Sequence, residues 1–541
     1  MMKLLNNKGY KWESNECVSV KGFAFNELNK MLSGKDFADY FIDVTNEDNF
    51  VKKLKLINGF FSVIIKKENN FYAAVDYVRS FPLFYRDSLN ELFIFDSIEK
   101  NTTKNFQLDD QATYEYLSSS YTLGNSTLFK QVKQLLAGQY LVYTNNSLSV
   151  DFYYRHSHNY SNKKENLDSY FNELDEVSVN IFSRIKEASK NKTIIIPLSG
   201  GYDSRYIAAF CKRIGLENII CYTYGKKGSF EVDTSREVAE KLGYDWYFIE
   251  YSEEKWKKLL KSKKNKEFNF FASNYSSLPH YQEFIAVQEL KEKKILPNDS
   301  IFIPGFCGDL LGGSLLPQQY SFDKEKELLN IRLEDYIFNK FYNNQTIGID
   351  LCKNDVIRSI HKSWIKNNIS NSDEFVNYYE EWFLQQRVGK YVNNAVRVYE
   401  FFGYEWLLPL WDKELVEYWY TIPNKFRVES RLYNTFLIEK LFKPLNIDFR
   451  KQDEMKPSTF RNAIKKMIPI YFLPALKKIG LIIRGKDNLL NINSYDQFSS
   501  IMYKDFDSIN IKIKKHTHVN RLYALWVLNF NFNINVKKFL K

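Results

Sequence analysis

Between Ile194 and Phe210 the chain reads IIIPLSGGYDSRYIAAF. Three isoleucines running into a proline suit a short strand covered on both faces, since neither face alternates to polar residues. The turn SGGYDS follows, and then a helical pattern. At a strand-to-helix turn, the amides of the first helical turn point into the crevice beyond the carboxyl end of the strand. Gly200 and Gly201 permit positive φ and let the backbone approach a bulky anion closely. Ser199 and Ser204 can add hydroxyl donors. Asp203 is incongruous beside an anion unless a cation lies between them; Mg²⁺ bridges carboxylates to phosphates in this way. No GK[ST] follows, so the turn is not a Walker loop. An ordinary Gly/Ser turn with Asp near a helix start is the plain alternative, and the whole string in its βα setting favours phosphate binding.

The surrounding segments extend the pattern. The helix LDSYFNELDEVSVNIFSRIKEAS leads in; NIICYTYG and DWYFIEY read as strands, SRYIAAFCKRIG and EVDTSREVAEKLG as helices. Strands alternating with helices predict a parallel sheet covered on both faces. After SIFIPGF, residues 300–306, the chain is expected to be all-α. Before residue 150 the signals differ: FFSVIIKK, FYAAVDYV, ELFIFDS and GQYLVYTN are short strands between turn residues, an antiparallel β-rich domain. The polar stretch 153–166 reads as a linker.

At 541 residues, two or three domains are expected. The five cysteines are odd in number and form no CxxC pair, which disfavours a disulfide framework or structural zinc and fits a reducing cytoplasm. MMKLLNNKGYKW lacks the apolar core of a signal peptide. MIPIYFLPALKKIGLII, residues 467–483, carries two prolines and two lysines, so a membrane span is not expected. The net charge of +11 is spread along the chain, and the basic run 255–268 has no interleaved stacking platform. It reads as a solvated helix face, not a nucleic-acid site. The pairs His156/His158 and His516/His518 have no neighbouring ligands and are expected on solvated loops.

SGGYDS resembles the pyrophosphate loop of ATP pyrophosphatases, which cleave ATP between the α and β phosphates. GFCGDLLGG, residues 305–313, is similar to the second signature of asparagine synthetases, and EFFGYEWLLPLWDKELVEYWYTIPNKFR, residues 400–427, to a third segment in which Glu405, Pro409 and Asp412 match. INGFFSVIIKK, VDYVRSFPLFY and LLAGQYLVY are similar in order and spacing to the class II glutamine amidotransferase domain that precedes the synthetase domain in that family.

The resemblance implies two domains. Residues 1–155 would form an antiparallel Ntn-hydrolase-like sandwich. Residues 168–541 would form an adenine nucleotide α-hydrolase-like parallel-sheet domain, helical from about 325. It implies ATP and Mg²⁺ as cofactors. Leu198, Ser199, Gly200, Gly201, Asp203, Ser204, Thr223 and Gly305 would bind ATP, and Asp203 and Asp309 would share the metal. Thr223 would end its strand near the adenine, with simple strand termination as the alternative. The implied activity is adenylation of a carboxylate, followed by transfer of ammonia or an amine.

Two departures stand out. The family's glutaminase uses an N-terminal cysteine with its own α-amine as base. Here the first cysteine is Cys17, so glutaminase activity is expected to be lost. Phe306 stands where asparagine synthetases have Glu and β-lactam synthetase has Tyr, and Phe transfers no proton. Glu405 is the expected replacement, with Glu400 and Tyr404 beside it. Lys451, next to Arg450, is the expected cation near the transferring group, followed by Lys456. Arg205 is expected on a helix surface. The substrate is left as a small-molecule, peptide or sugar carboxylate, with a homodimer admitted and no nucleic acid or membrane partner. The alternatives are a nucleotide-binding scaffold without activity, and a peptide macrocyclase or β-lactam synthetase-like enzyme.

Overall fold

The computed structural model describes residues 1–88, 91–99, 103, 105–161, 164, 167–322, 324–342, 353–363, 368–449, 495–514 and 517–540. Arg450, Lys451, Lys456, His516 and the segment 467–483 lie outside the described residues.

The N-terminal part is built on two sheets. The smaller is ordered β1 (Met2–Lys3), β8 (Glu91–Phe95), β7 (Phe84–Ser88), β9 (Lys133–Gln134), with β1 and β8 parallel and the other pairs antiparallel. The larger is antiparallel throughout, ordered β11 (Ser147–Phe152), β10 (Gln139–Thr144), β6 (Asn70–Val75), β5 (Asn58–Lys67), β3 (Val18–Phe25), β2 (Trp12–Ser14). β4 (Met31–Ser33) also pairs with β3. The side-chain period of two divides β5 between two cores. Ile64 joins Tyr85, Leu92 and Ile94 of the smaller sheet. Val63 and Ile65 join Phe37 and Phe50 of the helices Gly34–Tyr40 and Glu47–Lys55.

The C-terminal part is built on a five-stranded parallel sheet, ordered β14 (Asp245–Glu250), β13 (Ile219–Gly225), β12 (Ile194–Pro197), β15 (Ile301–Phe302), β16 (Glu405–Trp406). The isoleucines of β12 are fully buried at its centre. The helices Tyr202–Arg213 and Phe230–Leu242 connect β12 to β13 and β13 to β14. β16 corrects the expectation of an all-helical remainder. Its two residues extend the sheet because Trp406 has a buried seat against the first domain. There it stacks on Phe81 at 5.3 Å and meets Tyr10 edge-on at 5.8 Å, and the Tyr10 hydroxyl donates to the Trp406 carbonyl at 2.8 Å. One hydrophobic core therefore runs through both parts of the chain.

Two residues of the stretch after β11 depart from the solvated loop expected for them. His156 and His158 are buried, 2% and 9% exposed. His156 Nε2 lies 2.8 Å from the Tyr77 carbonyl. His158 Nε2 lies 2.6 Å from Glu380 Oε2, its ring between Tyr160 and Tyr420. Aromatic cover, not a hydrophobic sequence pattern, draws these histidines inward. The basic run is the solvated face expected: Trp256, Leu259 and Leu260 are buried, while Lys255 pairs with Glu289 at 2.6 Å and Lys257 with Glu253 at 2.9 Å. No described helix is long and apolar enough to cross a membrane.

Candidate active site

From β12 the chain moves outward to β13 and β14, then returns to add β15 and β16 on the other side of β12. Where strand order reverses in this way, a crevice opens beyond the carboxyl ends, and α/β sheets take their ligands there. The loop 198–204 leaves β12 and the loop 303–313 leaves β15, so both signature segments meet at this reversal. A Cβ on Gly305 would lie 2.3 Å from the Ser204 nitrogen. The Asp309 N–H donates to Asp203 Oδ2 at 3.5 Å, although the two residues are 106 positions apart. Asp203 and Asp309 are both half-buried.

The first loop is tied within itself. Ser199 N–H donates to Ser204 Oγ and Gly201 N–H to Ser199 Oγ, each at 3.1 Å, and the two hydroxyls are 3.1 Å apart. Gly201 precedes the helix Tyr202–Arg213 with φ −77° and ψ 167°, ordinary extended backbone. Neither Gly200 nor Gly201 makes use of positive φ. Glycine is needed for space: a Cβ on Gly201 would stand 3.2 Å from Ser199 Oγ, and one on Gly200 3.3 Å from Glu231 Cα. Leu198 is held from beneath. Its N–H donates to the Tyr222 carbonyl at 2.9 Å, and its carbonyl accepts from the buried Thr223 hydroxyl, which also meets Ser235 Oγ at 2.7 Å. Thr223 thus braces the loop from inside β13, two residues before the strand ends.

Arg205 is not on a helix surface. It is fully buried, donating through Nη1 to the carbonyls of Ile447 and Phe449 at 2.9 and 2.7 Å and through Nη2 to that of Gly200 at 3.0 Å. A guanidinium with several donors suits such a knot of carbonyls, and it anchors the first loop.

The second loop rests on a platform that the sequence reading did not find, residues 427–433. Arg427, fully buried, donates Nε and Nη2 to the Leu311 carbonyl at 3.0 and 2.8 Å and pairs with Glu380. Gly313, at φ +103°, leaves room for the Arg427 carbonyl, 2.2 Å from where a Cβ would stand. Glu429 and Ser430 take φ +56° and +55°, a double left-handed turn, and the Ser430 hydroxyl donates to the Asp309 carbonyl at 3.4 Å. The turn brings Tyr433 between the loops. Its hydroxyl donates to Asp203 Oδ1 at 2.7 Å. Burial first, and then the Asp203 charge, push that hydroxyl's pKa far up, so it remains a donor. Burial, and then Asp309 and Asp203, likewise push the neighbouring Cys307 thiol up.

Glu405 is not brought to this crevice. It pairs level with Ile301, which pairs level with Ile194, the first residue of β12. Ser199 lies five residues further on, about 16 Å along the strand at roughly 3.3 Å per residue. Glu405 is ion-paired with Lys192 at the amino edge of the sheet. Its expected catalytic role is therefore corrected. Glu400 is fully buried, paired with Arg397, and accepts from the Trp406 indole at 3.0 Å. Tyr404 is buried against Phe302. Asp412 is structural: it caps the helix Lys413–Thr421 and accepts from Arg184 at 2.8 Å and Asn58 at 2.9 Å. Half-buried Phe306 packs on the core.

Among the described residues no group of three or more His, Cys, Asp or Glu side chains could hold a metal alone. Asp203 and Asp309 offer two oxygen donors on facing loops. That fits Mg²⁺, which is commonly held by one or two carboxylates together with substrate phosphates.

Residues 188–442 match the family described as asparagine synthase, and residues 45–154 match a glutamine amidotransferase domain. A match to a synthase family thus follows a match to an amidotransferase domain along the chain. The chain has the architecture of the asparagine synthetase family. No curated protein matches it. Solved structures similar to it include an NH3-dependent NAD synthetase from Campylobacter jejuni subsp. jejuni, with 16% identity and TM-score 0.22 over 39% of this chain and 96% of that one. Another is a glutamine phosphoribosylpyrophosphate amidotransferase from B. subtilis, with 8% identity and TM-score 0.18 over 54% of this chain and 62% of that one. Scores this low carry no weight for fold or function.

Proposed function

We propose that the protein adenylates a carboxylate with ATP and transfers ammonia or an amine to the acyl group. The observation that carries this reading is the meeting of Asp203 and Asp309, from two signature loops, at the strand-order reversal. A substrate carboxylate oxygen attacks the α-phosphorus of ATP, forming an acyl–O–P bond and releasing pyrophosphate. A nitrogen nucleophile then attacks the acyl carbon, loses a proton and expels AMP. Mg²⁺, when bound by Asp203 and Asp309, would neutralise charge on the phosphates. The amides at the start of the helix Tyr202–Arg213 would receive the departing pyrophosphate. Leu198 and Thr223 hold that helix start in place.

The nitrogen is taken as free ammonia or an amine, without glutamine hydrolysis. Cys17 is the single cysteine before residue 200, and its nitrogen is a peptide N–H that donates to Asn15 Oδ1 at 3.2 Å, so it cannot serve as an α-amine base. Phe306 supports a second reading, a nucleotide-binding scaffold without turnover, because the loop position lacks a proton-transferring group.

Incubation with Mg-ATP and a panel of carboxylates, with ammonia, amines or glutamine, followed by pyrophosphate and AMP assay, separates these readings. Carboxylate-dependent pyrophosphate release with ammonia or an amine supports the ligase. ATP binding with no turnover on any acceptor supports the scaffold. Asp203→Ala abolishes turnover; an active variant would overturn the site.

A further inference from the structure

The two signature loops meet through a long hydrogen bond from Asp309 N–H and through the close approach of Gly305 to Ser204. Tyr433 touches both loops. Its hydroxyl is 2.7 Å from Asp203 Oδ1 on the first loop. On the second loop, a Cβ at Gly308 would stand 2.4 Å from that hydroxyl, and a Cβ at Gly312 2.7 Å from the Tyr433 Cβ. The ring is 1% exposed and lies edge-on to Tyr206 at 6.2 Å and Trp419 at 6.0 Å, so its position is fixed by packing.

This arrangement treats the two Asp203 oxygens differently. Oδ1 accepts from the tyrosine, and Oδ2 is turned toward Asp309. We infer that Tyr433 is a positioning residue for the metal-binding carboxylate pair: its hydroxyl fixes the rotation of the Asp203 carboxylate, and its ring sets the distance of the Asp309 loop. The two glycines facing the ring are what allow it to lie there. A hydrogen bond to a ligating carboxylate orients it before the metal arrives, and removing such partners commonly lowers metal affinity by about 10–100-fold. The inference rests on the adenylation reading above, and it assigns Tyr433 no contact with substrate and no proton transfer.

The test uses the full chain, with ATP binding measured by calorimetry across a Mg²⁺ titration and again in EDTA. In Tyr433→Phe, which keeps the ring, the Mg²⁺ concentration for half-maximal ATP binding rises about tenfold. ATP affinity in EDTA and the urea midpoint stay close to wild type. Gly308→Ala drives a methyl group into the hydroxyl and reproduces the loss with the tyrosine chemically intact. An unchanged Mg²⁺ requirement in either variant overturns the inference. So does an equal loss with and without Mg²⁺, which is the mark of a merely structural residue. A wild-type chain that binds no ATP under any condition overturns the adenylation reading itself, and the inference with it.

Discussion

Gly305 passes Ser204 so closely that no side chain fits between the two backbones. The neighbouring atoms are the Ser204 nitrogen and Cα and the Asp203 carbonyl carbon, none of which can swing aside as the end of a long side chain could. The two loops are thereby held in register at the point where the carboxylates face each other.

Gly305→Ala is therefore expected to displace one loop. Overpacking against backbone costs about 1–3 kcal/mol or more. Urea denaturation should show that loss, and ATP binding should fall more than tenfold even where the variant remains folded.

Glu405→Gln is expected to leave turnover within about twofold of wild type. The residue sits at the amino edge of the sheet, in an ion pair with about a third of each side chain exposed. Pairs of this kind contribute about 0–1 kcal/mol. Steady-state kinetics on the acceptor found by the pyrophosphate assay make the measurement; a hundredfold loss would return Glu405 to the chemistry.

Acid stability should report on the His158–Glu380–Arg427 cluster. Burial alone would raise the Glu380 carboxyl, but the Arg427 charge, and then His158, hold it down at about 2, against an ordinary 4.5. A depressed carboxyl contributes stability that is fully present above the unfolded value. That stability is lost as pH falls from about 4.5 toward about 2. Urea midpoints across this range should fall steeply in wild type and less steeply in Glu380→Gln. The variant should also be weaker at neutral pH by about 3–5 kcal/mol, because Arg427 is left buried without its carboxylate.

The backbone of the site was legible before the structure. The isoleucines of β12, the SGGYDS turn and the alternation that follows are local signals, and each lies where its pattern placed it. What escaped was set by long-range placement. Glu405 and Asp412 belong to the third signature segment, but nothing in their spacing says at which end of the sheet a two-residue strand begins. His156 and His158 sit in a polar stretch whose burial depends on Tyr160 and Tyr420 closing around them. Tyr433 occupies an ordinary short helix, and its partner Asp203 is 230 residues away. The glycines of the turn answer to crowding from Ser199 and Glu231, neighbours that the local pattern does not name.

Trp406 carries a last consequence. The indole belongs to the sheet that holds the two loops, yet it is fully buried against Tyr10, Phe60 and Phe81 of the other half of the chain. The amidotransferase-like half thus supplies part of the wall on which the synthase-like half is folded. It can lose its own chemistry without becoming dispensable. Calorimetry should show one cooperative melting transition for both halves, and Trp406→Ala should lower that single transition by an amount matching about 3–5 kcal/mol, not split it in two.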